Sequence, residues 1–348
     1  MLRKHIFNMP SLKMKHIVVL AVVAVALLNL LTLDLPTKFY GDEIETMNRL
    51  SLSKSSALPN RTLVILMGDL RGGEQAWETL YKNVLDPNSA NLALLIGKET
   101  KYAIYPNSTL FKRAIHTWTF PEYGDWADAV DMINGTHWRK THLPEFHRNK
   151  NMGGDTGLYG GIKGFKGSGM IIFMMRWFLS QHVLENDIIS KYDTFVLTRA
   201  DHYYQCQHNL TEFNLTDNTM YVPSGEGYGG ITDRHLVVSK ENLLESIDIV
   251  PMLLEMDFNQ FLFMDNGNPF KGKKGINPEK MLKMVWKAKG LHIKYFPRVM
   301  FTCATKFDTT RWRKAEENVP GVPGLMKKYV AEYNGTQQNC KKDSIEPI

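Results

Sequence analysis

The sequence predicts an α/β fold with a largely parallel sheet flanked by helices and preceded by one apolar membrane segment. Three observations carry that expectation. From Arg61 onward, short apolar runs alternate with helical patterns. The most strand-like of those runs end in polar turns, the place where open α/β sheets hold ligands. The composition, 43% hydrophobic and 22% charged over 348 residues, is that of a globular chain with a sizeable core.

Thr62–Met67 (TLVILM) reads as a buried strand, GDLRGG as a turn, and Glu74–Leu85 as a helix with Trp77, Leu80, Tyr81 and Leu85 on one face. Asn91–Gly97 is a second strand and Ala114–Phe120 a third. A helix follows over Asp125–Asn134, and then a basic stretch, HWRKTHLPEFHRNKN, with the composition of a loop. The longest helical pattern, Ser168–Ile189, leads into the strand Thr194–Thr198. Met220–Val222 and Leu236–Val238 return to the sheet, Glu241–Glu255 and Pro278–Lys289 are helices, and His292–Phe301 closes as an edge strand containing a proline.

Ile17–Leu33 contains no charged residue and is long enough, at roughly 25 Å of helix, for one membrane crossing. Arg3, Lys4, Lys13 and Lys15 precede it, and Asp34, Asp42, Glu43 and Glu45 follow it. The charge asymmetry therefore predicts a cytosolic tail over residues 1–16, a signal anchor over 17–33, and, on the lumenal side, a stem over 34–60 and a globular domain over 61–348. Ala24-Val25-Ala26 offers the competing reading of a cleaved signal peptide, whose cut would fall in the middle of the run. N-x-[ST] triplets at Asn60, Asn107, Asn134, Asn209, Asn214 and Asn334 agree with a lumenal domain.

The net charge of +6, from 42 basic and 36 acidic residues, is too small to predict a nucleic-acid partner. Cys206, Cys303 and Cys340 lack the C-x-x-C spacing of a zinc site. In an oxidising lumen the expected bridge is Cys206–Cys303, with Cys303–Cys340 as the alternative.

Three polar turn segments could carry chemistry. In GDLRGGE, backbone N–H groups at the helix start, including Gly72, and the Arg71 guanidinium could hold a diphosphate; the alternative is a tight strand-to-helix turn. In TRADHYY, Arg199, Asp201 and His202 follow the strand Thr194–Thr198, with Asp201 as a hard oxygen ligand for a metal or as a cap for the next turn. In SGEGYGGITDRH, Glu226, Asp233, Arg234 and His235 gather behind four glycines, where a carboxylate could accept a proton from a sugar hydroxyl; solvated charges on a β-turn are the alternative. Gly153–Gly169 holds eight glycines with Lys163 and Lys166 and does not match a Walker A loop. It reads as a lid or as a solvent loop.

Taken together, the strand-turn-helix with Arg71, the strand YDTFVLTRADHYY, the turn GEGYGGITDRH and the closing segment NPEKMLKMVWKAKGLHIKYF resemble nucleotide-sugar glycosyltransferases of the GT-A type, particularly Golgi type II enzymes, over roughly residues 60–305. The resemblance implies a GT-A-like, Rossmann-like domain in the Golgi or endoplasmic reticulum membrane. It implies a nucleotide-sugar donor and a glycan, glycolipid or glycoprotein acceptor. Arg71, Gly72, Arg199, Asp201 and His202 would then bind the donor, with Asp201 as ligand of a divalent cation such as Mn²⁺. Asp233, Glu226 and Arg234 would be catalytic, and Tyr228, Gly229, Gly230 and His235 would meet the acceptor. One departure is plain: where the family has D-x-D, this chain reads Arg199-Ala200-Asp201. Two other classes remain open: a lumenal sulfotransferase, whose donor loop would lack a hydroxyl in GDLRGGEQ, and a non-catalytic glycan-binding protein on the same fold.

Overall fold

The structure, a computed structural model, describes residues 61–98, 107–143, 157–216, 218–255, 277–309 and 317–343. All of these belong to the compact unit Pro59–Ile348. The proposed tail, anchor and stem over 1–60 lie outside the described residues, and no helix among the described residues is long and apolar enough to cross a membrane.

The chain opens with β1 (Thr62–Met67), α1 (Gly73–Leu80) continued by a π-helical turn over Tyr81–Leu85, and β2 (Asn91–Gly97). Next come α2 (Thr109–Arg113), β3 (Ala114–Phe120), α3 (Trp126–Asn134), α4 (His137–Thr141) and α5 (Gly169–Glu185). After β4 (Thr194–Thr198) and β5 (His202–Tyr204) follow β6 (Thr219–Pro223), β7 (Leu236–Ser239), α6 (Lys240–Ile247) and α7 (Val250–Glu255). The last elements are α8 (Pro278–Ala288), β8 (His292–Phe296), β9 (Met300–Thr305), β10 (Glu317–Asn318), β11 (Leu325–Lys327) and α9 (Val330–Asp343).

Among the described residues, seven strands form one sheet in the order β3-β2-β1-β4-β7-β6-β8. All run parallel except β7, which is antiparallel to both β4 and β6. β1 and β4 are buried along nearly their whole length, as expected of strands covered on both faces. Their register sets Leu66 against Thr198, so the turns that follow both strands emerge side by side. The chain winds outward from β1 through β2 to β3 and then places β4 on the other flank of β1. The topological switch point therefore lies between β1 and β4.

A second, antiparallel sheet has the order β10-β11-β9-β5. Local chemistry sets the limits of several elements. Asp125 caps α3 by accepting from the Ala127 amide (3.0 Å), and Asn277 caps α8 by accepting from the Lys280 amide (2.8 Å), with Pro278 in its first turn.

Four expectations are corrected. The helix expected over Glu241–Glu255 is two helices, α6 and α7, parted at Asp248–Ile249. The closing strand is also two, because the break around Pro297 sends β8 to the large sheet and β9 to the small one. In the basic stretch, His137–Thr141 is helical: Trp138 is buried, and Arg139 pairs with Asp131 (2.6 Å) and Asp128 (2.7 Å). The described part of the glycine-rich segment, Gly157–Gly169, is anchored in the core at its ends, with Lys163, Gly164 and Lys166 exposed between them. Leu158, Tyr159 and Ile162 lie in the core, and Gly169 N donates to Gly157 O (2.9 Å), folding the turn against the start of α5.

The cysteine pairing also differs. Cys206 is bonded to Cys340, and Cys303 is a buried free thiol. Cys303 lies in β9 within the core, with its amide donating to the Asp201 carbonyl (2.8 Å). The bridge closes a sequence separation of 134 residues and fastens α9 to the segment after β5. Mass mapping under non-reducing conditions should return one Cys206–Cys340 peptide and a Cys303 that alkylates only after unfolding. Cys340→Ser should lower the melting temperature by about 5 °C or more, the usual scale for removing a native bridge; an unchanged melting temperature would show that the bridge does not hold α9.

Candidate active site

The turns after β1 and β4 meet through one buried carboxylate. Asp201 is 2% exposed and accepts two hydrogen bonds from Arg199, Nε to Oδ1 at 2.7 Å and Nη2 to Oδ2 at 2.6 Å. Arg71 Nη2 lies 3.4 Å from the same Oδ2. Burial alone would raise the Asp201 carboxyl, but the adjacent Arg199 and Arg71 charges hold it far below the usual carboxylate range. Gly72 makes the approach possible. Its φ is 86°, and a Cβ there would come within 3.1 Å of the Ala200 carbonyl oxygen and of the Asp201 Cα. The Gly72 amide, expected to face a phosphate, donates instead to Asp308 Oδ2 (3.0 Å), which also takes the Thr305 amide (2.7 Å).

A second buried carboxylate stands nearby. Glu332, on α9, accepts from Arg234 Nη1 (2.6 Å) and from the Thr302 amide (2.7 Å), and Arg298 Nη1 lies 3.3 Å away. The Arg234 guanidinium stacks 4.4 Å over the Tyr329 ring, with Lys328 Nζ 5.4 Å from the same ring. Burial pushes the Lys328 ammonium down to about 8, with Arg199 contributing next. Arg71, Arg199, Arg234, Arg298 and Lys328 thus surround two buried carboxylates, an excess of positive charge at the switch point.

The glycine turn stands at the edge of this cluster. Glu226 and Tyr228, both non-glycine, hold φ of 50° and 45°, a sparsely populated conformation. The Tyr228 hydroxyl donates to Glu226 Oε2, and Tyr228 is half exposed. Gly229 is exposed, whereas Gly230 packs onto α8, where a Cβ would lie 2.1 Å from the Glu279 backbone. Asp233 is partly exposed, and its carbonyl accepts from Arg176 Nη2 (2.7 Å). Glu279, in the first turn of α8, is pushed up to about 7, by burial first and then by the negative charge of Asp233.

His202 and His235 belong to a buried side-chain network. Thr198 Oγ1 lies 3.0 Å from His202 Nδ1, from Tyr204 OH and from His235 Nδ1, and His235 Nε2 lies 3.2 Å from His208 Nε2. All of these residues are buried. Burial pushes His202 and His208 down to about 3 and His235 well below its ordinary value, so the imidazoles are neutral. They form a polar floor under the site, and the expected donor contact of His202 and acceptor contact of His235 do not fit that placement.

The arrangement also fails a metal. Both Asp201 oxygens are engaged by guanidinium groups, and a divalent cation there would meet Arg199 and Arg71 at short range. Among the described residues no group of three His, Cys, Asp or Glu side chains is placed to hold one.

Sequence reasoning thus brings Arg71, Gly72, Arg199, Asp201, Glu226, Tyr228, Asp233 and Arg234 toward one region and misses Lys328, Tyr329, Glu332, Arg298, Glu279 and Asp308. Of those, Arg298 lay within reach of sequence reasoning, since it follows the Pro297 that breaks the closing strand.

No protein-family model matches the chain, and no curated protein matches it. Among solved structures, mouse xyloside xylosyltransferase 1 in its apo form aligns with 69% of this chain and 85% of that chain, at 11% identity and a TM-score of 0.35. A likeness at that level carries no statement about activity.

The raised Glu279 carboxyl, only partly exposed, has a readable consequence. Its folded-state pKa is raised, so the folded state binds more protons between about pH 4.5 and 7, and stability falls as pH rises through that window. Glu279→Gln should remove this slope and gain more melting temperature over the parent at pH 8 than at pH 4.5. Equal differences at the two pH values would show that the carboxyl is not held protonated by the fold.

Proposed function

We propose that the chain is a glycosyltransferase that moves a sugar from a nucleotide-sugar donor to a glycan, glycolipid or glycoprotein acceptor. The observation that carries this reading is the cationic cluster at the β1–β4 switch point, where open α/β sheets bind ligands and where a diphosphate finds guanidinium groups suited to its oxygens. The GT-A-type resemblance of the sequence supports it. In this reading the phosphate contacts belong to Arg71 and Arg199, with Asp201 orienting them rather than touching the donor.

The acceptor would enter beside the strained turn, near Tyr228 and Gly229. Its hydroxyl oxygen attacks the anomeric carbon, the bond from that carbon to the phosphate oxygen breaks, the diphosphate leaves with the electron pair, and the hydroxyl proton passes to a carboxylate. Asp233 is partly exposed and is the proposed base, with Glu226 and Arg234 positioning the turn around it.

A thermal-shift screen with UDP, GDP, CMP and adenosine 3',5'-bisphosphate should raise the melting point by a few degrees for one of the first three, because a ligand of the native state stabilises it by mass action. A shift with adenosine 3',5'-bisphosphate alone would favour a sulfotransferase, and no shift with any would favour a non-catalytic glycan-binding protein. With the active donor, Asp233→Asn should retain binding and lose transfer by about 10²-fold or more. Wild-type transfer would remove Asp233 from the chemistry.

We further propose a single-pass type II topology in the Golgi or endoplasmic reticulum membrane, from the charge asymmetry around Ile17–Leu33. Protease treatment of sealed microsomes should spare residues 61–348 until detergent is added. Their digestion without detergent would reverse the topology.

A further inference from the structure

We infer that this site binds a diphosphate without a divalent cation, and that Lys328 supplies the positive charge a metal would otherwise bring. The inference deepens the glycosyltransferase reading, since it names how the donor's leaving group is held.

Lys328 is 6% exposed as a residue, and its amide donates to Thr302 O (3.0 Å), which fixes it between β11 and α9 beside β9. Its ammonium makes no ion pair or hydrogen bond among the described residues, and its nearest marked contact is the Tyr329 ring at 5.4 Å. The contrast with its neighbour is direct: Lys327 Nζ pairs with Glu317 (3.2 Å) and lies 4.2 Å from the Tyr333 ring. Each of the four other cations of the cluster has a carboxylate. Arg199 and Arg71 share Asp201, and Arg234 and Arg298 share Glu332. Lys328 is electrostatically coupled to Arg199, Asp201, Arg71 and Arg234 and has no carboxylate of its own. A largely buried ammonium that pairs with no carboxylate among the described residues gains from an anion placed beside it.

Two further observations point the same way. Arg71 Nε is buried without a hydrogen-bond partner, so the cluster has donor capacity that the protein leaves unused. The carboxylate that would hold a metal is already clamped in a fork by Arg199, so a cation could bind only by breaking a bidentate pair. A phosphate oxygen at Lys328, by contrast, would displace no side-chain hydrogen bond or ion pair that its ammonium makes among the described residues. Lysine is well suited to this because it acts on phosphate as a point charge with three donors.

The test is isothermal titration of the full chain with inorganic pyrophosphate, in EDTA and in Mn²⁺. The expected dissociation constant in EDTA is within about twofold of the best value obtained with metal. Lys328→Met should weaken pyrophosphate by about tenfold or more, the scale of one lost charge-assisted hydrogen bond. Lys328→Arg should restore binding, and Lys327→Met should leave it unchanged. The parent's affinity should fall above about pH 8 as Lys328 loses its proton, and the Lys328→Arg variant should not follow. Melting curves of each variant separate lost binding from lost folding, and the arginine variant keeps the test open if the methionine variant fails to fold. Binding that appears only with Mn²⁺, or that survives in a folded Lys328→Met variant, would overturn the inference. Metal-free pyrophosphate binding with no response to any nucleotide would uphold the anion site and remove the glycosyltransferase reading.

Discussion

The ion pair between Asp201 and Arg199 is the constraint on which the site depends. A carboxylate at 2% exposure cannot be left uncompensated, since removing one partner of such a pair costs about 3–5 kcal/mol. The compensation comes from both sides of the switch point. Arg199 reaches it from the end of β4, and Arg71 from the turn after β1. The close approach of the two turns follows, and with it the need for glycine at Gly72, where any Cβ would press on the Ala200 carbonyl. The Asp201 main chain then joins the small sheet, its carbonyl taking the Cys303 amide. One buried charge thereby ties the large sheet, the first helix turn and the small sheet at a single point.

The C-terminal segment completes what that point begins. β11 pairs with β9, Lys328 donates its amide to Thr302, and Glu332 accepts the Thr302 amide while holding Arg234 and Arg298. These contacts bring a second carboxylate and Lys328 to a cluster whose other members come from residues 71 to 298. The Cys206–Cys340 bridge fastens the far end of the same helix to the segment leaving β5. The bridge therefore acts on the site through α9, by limiting how far Glu332 can move from its two arginines.

Much of the fold is legible in the sequence because its strands are short, apolar and covered on both faces. Ala114–Phe120 and Thr194–Thr198 stand where the residue pattern places them, and β1 and β2 match as closely. The failures share a cause, which is that local pattern does not register long-range partners. His292–Phe301 looks continuous, yet the two halves pair with different sheets. The glycine-rich segment looks open, yet Leu158, Tyr159 and Ile162 draw it into the core. At the site, Asp201 and Arg199 are visible as neighbours in RADHYY, but nothing in that string shows that the arginine turns inward to clamp the carboxylate. His202 and His235 carry the same lesson: each sits among polar residues in the sequence, and each is absorbed by Thr198 and Tyr204 beneath the site. Lys328 and Glu332 are invisible because they lie more than 120 residues from Arg199 and follow no motif.

The sign of the cluster limits what can bind there. At an effective dielectric of about 20, unit charges about 5 Å apart interact by about 3 kcal/mol, so several cations sharing two carboxylates leave a field that favours an anion over any cation. The buried imidazoles do not oppose this, since burial keeps them neutral, and a protonated His202 would add to the repulsion from Arg199 and Arg298. Asp308 shows the preference from within the protein: its carboxylate already occupies the Gly72 amide at the start of α1, beside Arg71. Asp233 and Glu226, which form no ion pair among the described residues, stand instead at the glycine turn, on the edge of the cluster. A leaving group that gains negative charge and an attacking hydroxyl that loses a proton need opposite electrostatic surroundings. In the proposed transfer, the cation cluster and the glycine-turn carboxylates would supply them on adjacent sides of Arg234, whose guanidinium is held by Glu332 and stacked on Tyr329.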